Sequence, residues 1–272
     1  MRLFRDLLFY YIVGSVGALL CSALLLFTSV KDFPANMILE FILLVWIFLL
    51  GFLLNRAAKK RIQKIYRQRA EDCCVAPYIA LMEKWCRLKI PQNQMALCRI
   101  ALSTGNIETG EFEKARRILQ EMPPAFSDTA DGMFAMAGYY NNYALCLLHE
   151  KNAPGAAVAL GYMESAIRSG RLPEEKHKVI QQSHQINQHL LHMLTGDYDG
   201  AMAFFCELAE AESAQMLERV KARYWLGQIC LHNQDNRQAA EYLKFAAENG
   251  GDTYYAARAR ALLAALDGQP SE

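Results

Sequence analysis

The sequence lacks the short motifs that mark the common enzyme classes. It has no G-x-x-x-x-G-K-[ST] phosphate loop, no G-x-S-x-G turn, no G-x-G-x-x-G turn and no H-E-x-x-H zinc helix. Its eight cysteines form no C-x-x-C pair and no spacing typical of metal ligands. These absences argue against catalysis, and we expect no catalytic residue, no metal site and no cofactor.

The sequence also lacks a large net charge, since it has 29 Lys and Arg and 28 Asp and Glu. The charges are unevenly distributed along the chain. Residues 1–70 carry ten basic and three acidic residues, and residues 71–272 carry nineteen basic and twenty-five acidic ones. Because the basic excess is confined to the first quarter of the chain, we expect no nucleic-acid partner. The acidic remainder favours basic or neutral partner segments.

Two long apolar runs stand near the N terminus, at about residues 7–30 and 37–54. The first has no charge, and the second has only Glu40, which is either an interfacial carboxylate or an ion site. A helix needs about 20 apolar residues to cross a membrane, whereas a signal peptide has an apolar core of about 7–15. The sequence therefore predicts a transmembrane helical hairpin over residues 1–55, which reverses near Pro34.

A basic stretch at residues 56–70 follows the second run, and Lys31 is the one basic residue between the runs. Because Lys- and Arg-rich flanks stay on the cytoplasmic side, we predict that both termini are in the cytoplasm. The short loops and the lack of a retention signal favour a bacterial plasma (inner) membrane. We expect the stretch to form a juxtamembrane helix that binds anionic lipid headgroups. Its basic residues are Arg56, Lys59, Lys60, Arg61, Lys64, Arg67 and Arg69.

Gly14, Ala18 and Ser22 lie four residues apart in the first apolar run. Small residues at this spacing let two membrane helices pack closely. The partner helix is the chain's own second span, a second copy of the chain, which would make a homo-oligomer, or another membrane protein. The sequence leaves these alternatives open.

From residue 71 onward the pattern is helical. Apolar residues recur at intervals of three and four, and Gly, Pro or Asn interrupts them about every 15–20 residues. We expect an all-α domain over residues 71–267, closed by a terminal helix at 253–267 and followed by a tail at 268–272. The predicted breaks are near 89–91, 109–110, 122–124, 152–154, 169–170, 196–197, 233–235 and 250–251.

Four stretches of this domain share one spacing, in which an alanine stands twelve residues after a position that is small in three of them. Two packed helices touch closely only where small side chains meet, so each pair of positions is predicted to mark a helix crossing. The pairs are Ser103 and Ala115, Ala144 and Ala156, His189 and Ala201, and Gly227 and Ala239.

The pattern of Leu226, Gly227, Ala239, Leu243 and Ala246 resembles the tetratricopeptide repeat superfamily, and so does Gly196-Asp197-Tyr198 before Ala201. The likeness covers roughly residues 93–251. It implies an α-solenoid of stacked helix pairs whose concave groove binds peptides or proteins. In that family the first helix of each pair lines the groove, which implies these candidates: Asn141, Lys221, Tyr224 and Gln228.

Two functions follow as expectations. The first is a membrane-anchored cytoplasmic scaffold or adaptor that binds a protein or peptide partner in its groove. The second is an accessory or regulatory subunit of a membrane complex, such as a transporter or envelope machinery, assembled through the hairpin. A metal-dependent enzyme using the histidines between His177 and His192 is a third alternative, but glutamines surround them and no carboxylate completes a ligand set.

Overall fold

The structure, a computed structural model, describes residues 33–122 and 126–267. Every regular element in these ranges is a helix and none is a strand, which confirms the all-α prediction. The helices are α1 (Phe33–Glu71), α2 (Ala76–Cys86), α3 (Gln92–Glu108), α4 (Phe112–Gln120), α5 (Ala130–His149), α6 (Ala153–Arg168), α7 (Glu174–Leu194), α8 (Ala201–Glu210), α9 (Met216–His232), α10 (Asn236–Asn249) and α11 (Tyr254–Asp267).

The chain divides into two units, at residues 1–66 and 67–272. In the first unit, α1 begins at Phe33 with Pro34 in its first turn and continues unbroken through the regions predicted as second span and basic helix. A search of the described residues finds no helix of the length and apolarity that crossing a membrane requires. The predicted first span, its Gly14, Ala18 and Ser22 face, and the tail lie outside the described residues.

In the second unit most helix boundaries fall at the predicted breaks. The Asn152 side chain accepts a hydrogen bond from Gly155 N at 3.0 Å and starts α6, as expected of an N-cap. One break was not predicted, between α8 and α9 at residues 211–215. This segment has no Gly, Pro or Asn, and α9 begins instead with a capping box formed by Gln215 and Glu218.

The four repeat alanines are buried. Ala115, Ala156, Ala201 and Ala239 are each at most 1 % exposed. The crossing of α9 and α10 is especially close, because a Cβ added at Gly227 would lie 2.6 Å from Leu243 Cγ. The structure is therefore a helical repeat in which small residues let paired helices touch.

The third pair departs from the other three. His189 occupies the position that is small elsewhere, and its ring stacks on Phe204 with 4.4 Å between ring centroids. The backbones of α7 and α8 do not approach each other as closely as those of the other pairs. The imidazole therefore acts as a spacer, and it opens the stack at this point.

The two ends of the stack meet. The terminal helix α11 packs on α10 and α9, and it also contacts α3 of the first pair. The Tyr254 and Phe112 rings are perpendicular, with 5.1 Å between their centroids. The second unit is thus a closed arrangement rather than an open row of helix pairs.

Candidate functional site

A small concave cavity lies inside the second unit, where the third pair is open. Its volume is about 150 Å³, and α5, α7, α8, α9 and α11 form its walls. Asn141, Gln182, Asn187, Glu218 and Lys221 give it polar groups, while Ile186, Phe205, Trp225 and Tyr255 are among its apolar and aromatic lining residues. A few fixed polar groups within an apolar wall are typical of a binding site.

Asparagine amides form a chain of hydrogen bonds beside this cavity. Asn187 Nδ2 donates to Asn141 Oδ1 at 2.9 Å, and Asn141 Nδ2 donates to Asn142 Oδ1 at 3.0 Å. Asn142 Nδ2 in turn reaches Ser103 Oγ and Thr104 Oγ1, both at 2.8 Å. The chain joins α7, α5 and α3, so the amide of Asn141 is held in one orientation at the cavity wall.

A buried carboxylate stands at the end of α3. Glu108 is 1 % exposed and accepts hydrogen bonds from Arg69 Nε at 2.7 Å and Arg69 Nη2 at 2.6 Å. Lys221 Nζ donates to the same carboxylate at 2.8 Å. Burial by itself would raise the pKa of Glu108, but the charges of Lys221 and Arg69 outweigh it and hold the pKa below its ordinary value. Glu108 is therefore ionised and fully paired at neutral pH.

Buried tyrosines complete the surroundings of this ion cluster. Tyr255 is 6 % exposed, and burial together with the Glu108 charge raises its pKa. Burial raises the pKa of Tyr224 to about 12, and its ring lies 5.5 Å from that of Tyr255. Both phenols stay neutral near pH 7, so neither provides a base for proton transfer.

The structure brings together two of the four predicted groove residues. Asn141 and Lys221 line the cavity, and the Lys221 ammonium is already engaged by Glu108. Tyr224 is 4 % exposed and lies in the core between Trp225 and Tyr255. Gln228 lies two turns beyond Lys221 on α9 and is not part of the cavity wall.

The predicted basic cluster also separates into two parts. Arg56, Lys59, Lys60, Arg61, Lys64 and Arg67 are exposed. Arg69 is instead half-buried and paired with Glu108, so it serves the interior of the second unit and not a lipid surface.

Sequence reasoning predicted only Asn141 and Lys221 among the lining residues of the cavity, and it also missed the buried polar residues Asn187 and Glu108. Asn187 is buried, but its partner Asn141 is 46 residues away in the chain. Glu108 ends the segment Ile100–Glu108, in which it is the only charged residue. A lone charge on such a helix indicates a buried ion pair and could have been noticed.

The histidine segment does not form a metal centre within the described ranges, where no group of three or more His, Cys, Asp or Glu side chains could hold a metal ion. His184 is buried, and its pKa is lowered by that burial. His189 packs on Phe204, while His192 is exposed with its Nδ1 3.7 Å from Asp197 Oδ2. The rings therefore serve separate packing and surface roles.

A larger cleft of about 930 Å³ lies beside the first turns of α3 and α5. Its lining includes Ile90, Met95, Leu97, Met122 and Phe126. It carries none of the predicted groove residues. The small cavity is therefore the better candidate site.

Comparison of this chain with known protein families, with curated proteins and with solved structures finds no match in any of the three.

Proposed function

We propose that this protein is a membrane-anchored cytoplasmic adaptor of tetratricopeptide-like helical repeats, and that it binds an extended segment of a partner protein at the small cavity. The observation that carries the proposal is the ordered amide chain that places Asn187 and Asn141 on the cavity wall. A side-chain amide both donates and accepts hydrogen bonds, so it can pair with a peptide main chain whatever its sequence.

The dimensions and chemistry of the cavity define the partner segment further. A volume of about 150 Å³ accommodates one side chain rather than a whole ligand. Trp225 and Tyr255 in the wall favour an apolar side chain at that position. The acidic balance of residues 71–272 favours basic or neutral flanking residues.

The membrane anchor is part of the same proposal. It is supported by the uncharged run at residues 7–30 and by large apolar side chains on α1 that are exposed, including Trp46 at 64 % and Phe48 at 73 %. Six exposed basic residues follow on the same helix and suit an anionic lipid surface. The proposed topology is a two-span hairpin with both termini in the cytoplasm, which raises the local concentration of the cavity at the membrane.

Filling the cavity tests the binding role. Ser183 lines the cavity and donates to Val179 O, whereas Ser165 makes the same backward bond to Gly161 O on the exposed face of α6. We expect Ser183→Trp in the full-length protein to abolish binding to an array of random peptides, and Ser165→Trp to leave it unchanged. Unchanged binding by Ser183→Trp would refute the cavity as the site and would favour the accessory-subunit role.

Alkaline extraction tests the anchor separately. We expect the full-length protein to remain in the bacterial membrane pellet after sodium carbonate treatment, because an inserted helix resists extraction that removes charge-bound proteins. Release into the supernatant would refute the hairpin and would leave the cavity proposal standing.

A further inference from the structure

The last turn of α1 and the segment that leads to α2 connect distant parts of the second unit. Glu108 at the end of α3 binds both Arg69, 39 residues before it, and Lys221, 113 residues after it. Arg69 lies in the last turn of α1. One carboxylate therefore joins the end of α1 to α9 of the last helix pair.

A second set of contacts makes the same connection independently. Asp252 Oδ1 accepts a hydrogen bond from Val75 N at 2.7 Å, and Asp252 Oδ2 accepts one from Ala76 N at 3.1 Å. The backbone N of Asp252 donates to Cys73 O at 3.3 Å. A residue of the α10–α11 loop thus satisfies the first amides of α2, which no side chain of its own segment caps.

The backbone is shaped for this contact. Cys73 has a φ of +48°, an uncommon conformation for a residue other than glycine. In the α10–α11 loop that faces Cys73, a Cβ added at Gly251 would lie 2.5 Å from Cys73 O. The close approach of the two backbones therefore requires glycine at position 251.

We propose that residues 69–76, here called the strap, are a releasable closure that holds the two ends of the helical stack together. Two polar anchors hold the strap: the Arg69–Glu108 pair and the Asp252 cap. Lys221 donates to the same Glu108 oxygen as Arg69 Nη2, so it holds in place the carboxylate that Arg69 binds. The side chains of Arg69 and Lys221 are 21 % and 30 % exposed, so water can reach both cations when the pairs part. Cys73 and Val75, both fully buried, keep the strap closed at rest.

The cavity reaches the strap through one residue outside both, Glu108, and its partner Lys221. Lys221 binds Glu108 and also lines the cavity with Tyr255. A group that enters the cavity and takes this ammonium from Glu108 removes a contact that positions the carboxylate bound by Arg69. The inference goes beyond partner binding, because it couples the cavity to the end of α1 through a named ion cluster.

Cys73 reports on the closure. It is fully buried, and burial raises the pKa of its thiol to about 11, so it is nearly unreactive while the strap is closed. Opening of the strap would expose it. Alkylation of Cys73 by N-ethylmaleimide, followed by mass spectrometry, therefore measures the open fraction, and hydrogen exchange of residues 72–82 measures it a second way.

The test compares variants of the full-length protein. Arg69→Met removes one anchor and leaves Lys221 with Glu108, Lys221→Met removes the contact between the cavity and Glu108, and Asp252→Asn weakens the cap. Lys114→Met is the matched control, because it breaks only the exposed Lys114–Glu83 pair of 3.3 Å. We expect each strap variant to raise the Cys73 alkylation rate at least tenfold with unchanged helicity, and the control to leave the rate as in the wild type.

Two results would overturn the proposal. Alkylation and exchange rates at the wild-type level in Arg69→Met and Asp252→Asn would show that these contacts do not hold the strap. Faster exchange across α5, α6 and α7 to the same extent as in residues 72–82 would show that the strap opens only when the whole unit unfolds. A wild-type rate in Lys221→Met alone would refute the link to the cavity.

Discussion

The helix pairs and the junction between the ends of the stack are held by different forces. Within the pairs, alanines and Gly227 bring the helices into contact, and apolar side chains form the buried clusters around them. At the junction, a buried carboxylate, two cations and a backbone cap hold together residues that are up to 177 positions apart in the sequence. Apolar packing tolerates small adjustments, whereas a buried charge does not tolerate the loss of its partners. The junction is therefore the more vulnerable region.

The largest effect is expected at the junction. Glu108→Gln leaves Arg69 and Lys221 facing each other without a counter-charge, so we expect the free energy of unfolding to fall by about 3–5 kcal/mol. Urea denaturation of the second unit, followed by fluorescence in the full-length protein, measures this. Glu83→Gln at the exposed Lys114 pair is the control, with an expected change below about 0.5 kcal/mol. Equal losses in the two variants would remove the distinction between the two regions.

The pH dependence of stability distinguishes the same regions in another way. The pKa of Glu108 is lower in the folded state than its ordinary value of 4.5, so the folded state binds the proton less readily than the unfolded state. This stabilisation is fully present above about pH 5 and is lost as the pH falls through the folded-state pKa. We expect the urea concentration at the unfolding midpoint to decrease as the pH is lowered below 4.5. This decrease should be smaller in Glu108→Gln. Parallel curves would contradict the assignment.

A smaller effect is expected within a tight pair. At Gly227→Ala the new methyl group meets Leu243, which is itself fully buried, so we expect a loss of about 1–3 kcal/mol. Gly161 is also inside a helix but has no atom within 4 Å of an added Cβ. Gly161→Ala should therefore raise the free energy of unfolding by about 0.5–1 kcal/mol through helix propensity. The same sign in both variants would show that the crossing of α9 and α10 is looser than described.

The smallest effect is expected at the open pair. His189→Ala removes the ring that stacks on Phe204, and an aromatic contact of this kind contributes about 0.5–1.5 kcal/mol. We expect a loss within that range by urea denaturation, together with weaker peptide binding as α7 moves towards α8. A gain in stability would show that the imidazole strains the crossing rather than spacing it.

Much of the fold could be predicted because helices are local. Intervals of three and four, together with interruptions at Gly, Pro and Asn, place most boundaries of α2 to α11 within a few residues. The break at residues 211–215 escaped because its only marks are Gln215 and Glu218, whose capping box lacks the usual Ser or Thr. The repeat alanines were predictable for a steric reason, since close helix crossings exclude larger side chains.

The site was predictable only in part. Asn141 and Lys221 could be placed by their positions on first helices, but Tyr224 turned out to be core because its neighbours Trp225, Tyr254 and Tyr255 come from two helices. The roles of Arg69 and Asn187 depend on partners 39 and 46 residues away. No local pattern encodes such pairs.

The sequence by itself determined the helices, their pairing and the division of charge between the two parts of the chain, because propensity, periodicity and composition act over a few turns. The closure of the stack was decided only by tertiary structure. The closure uses ordinary surface residue types: Arg69, Glu108, Lys221 and Asp252. Folding buries the Glu108 carboxylate and brings Arg69 and Lys221 to it, and it brings Asp252 to the first amides of α2. Burial strengthens their interactions and makes the loss of any partner costly, and burial is a property of the whole fold.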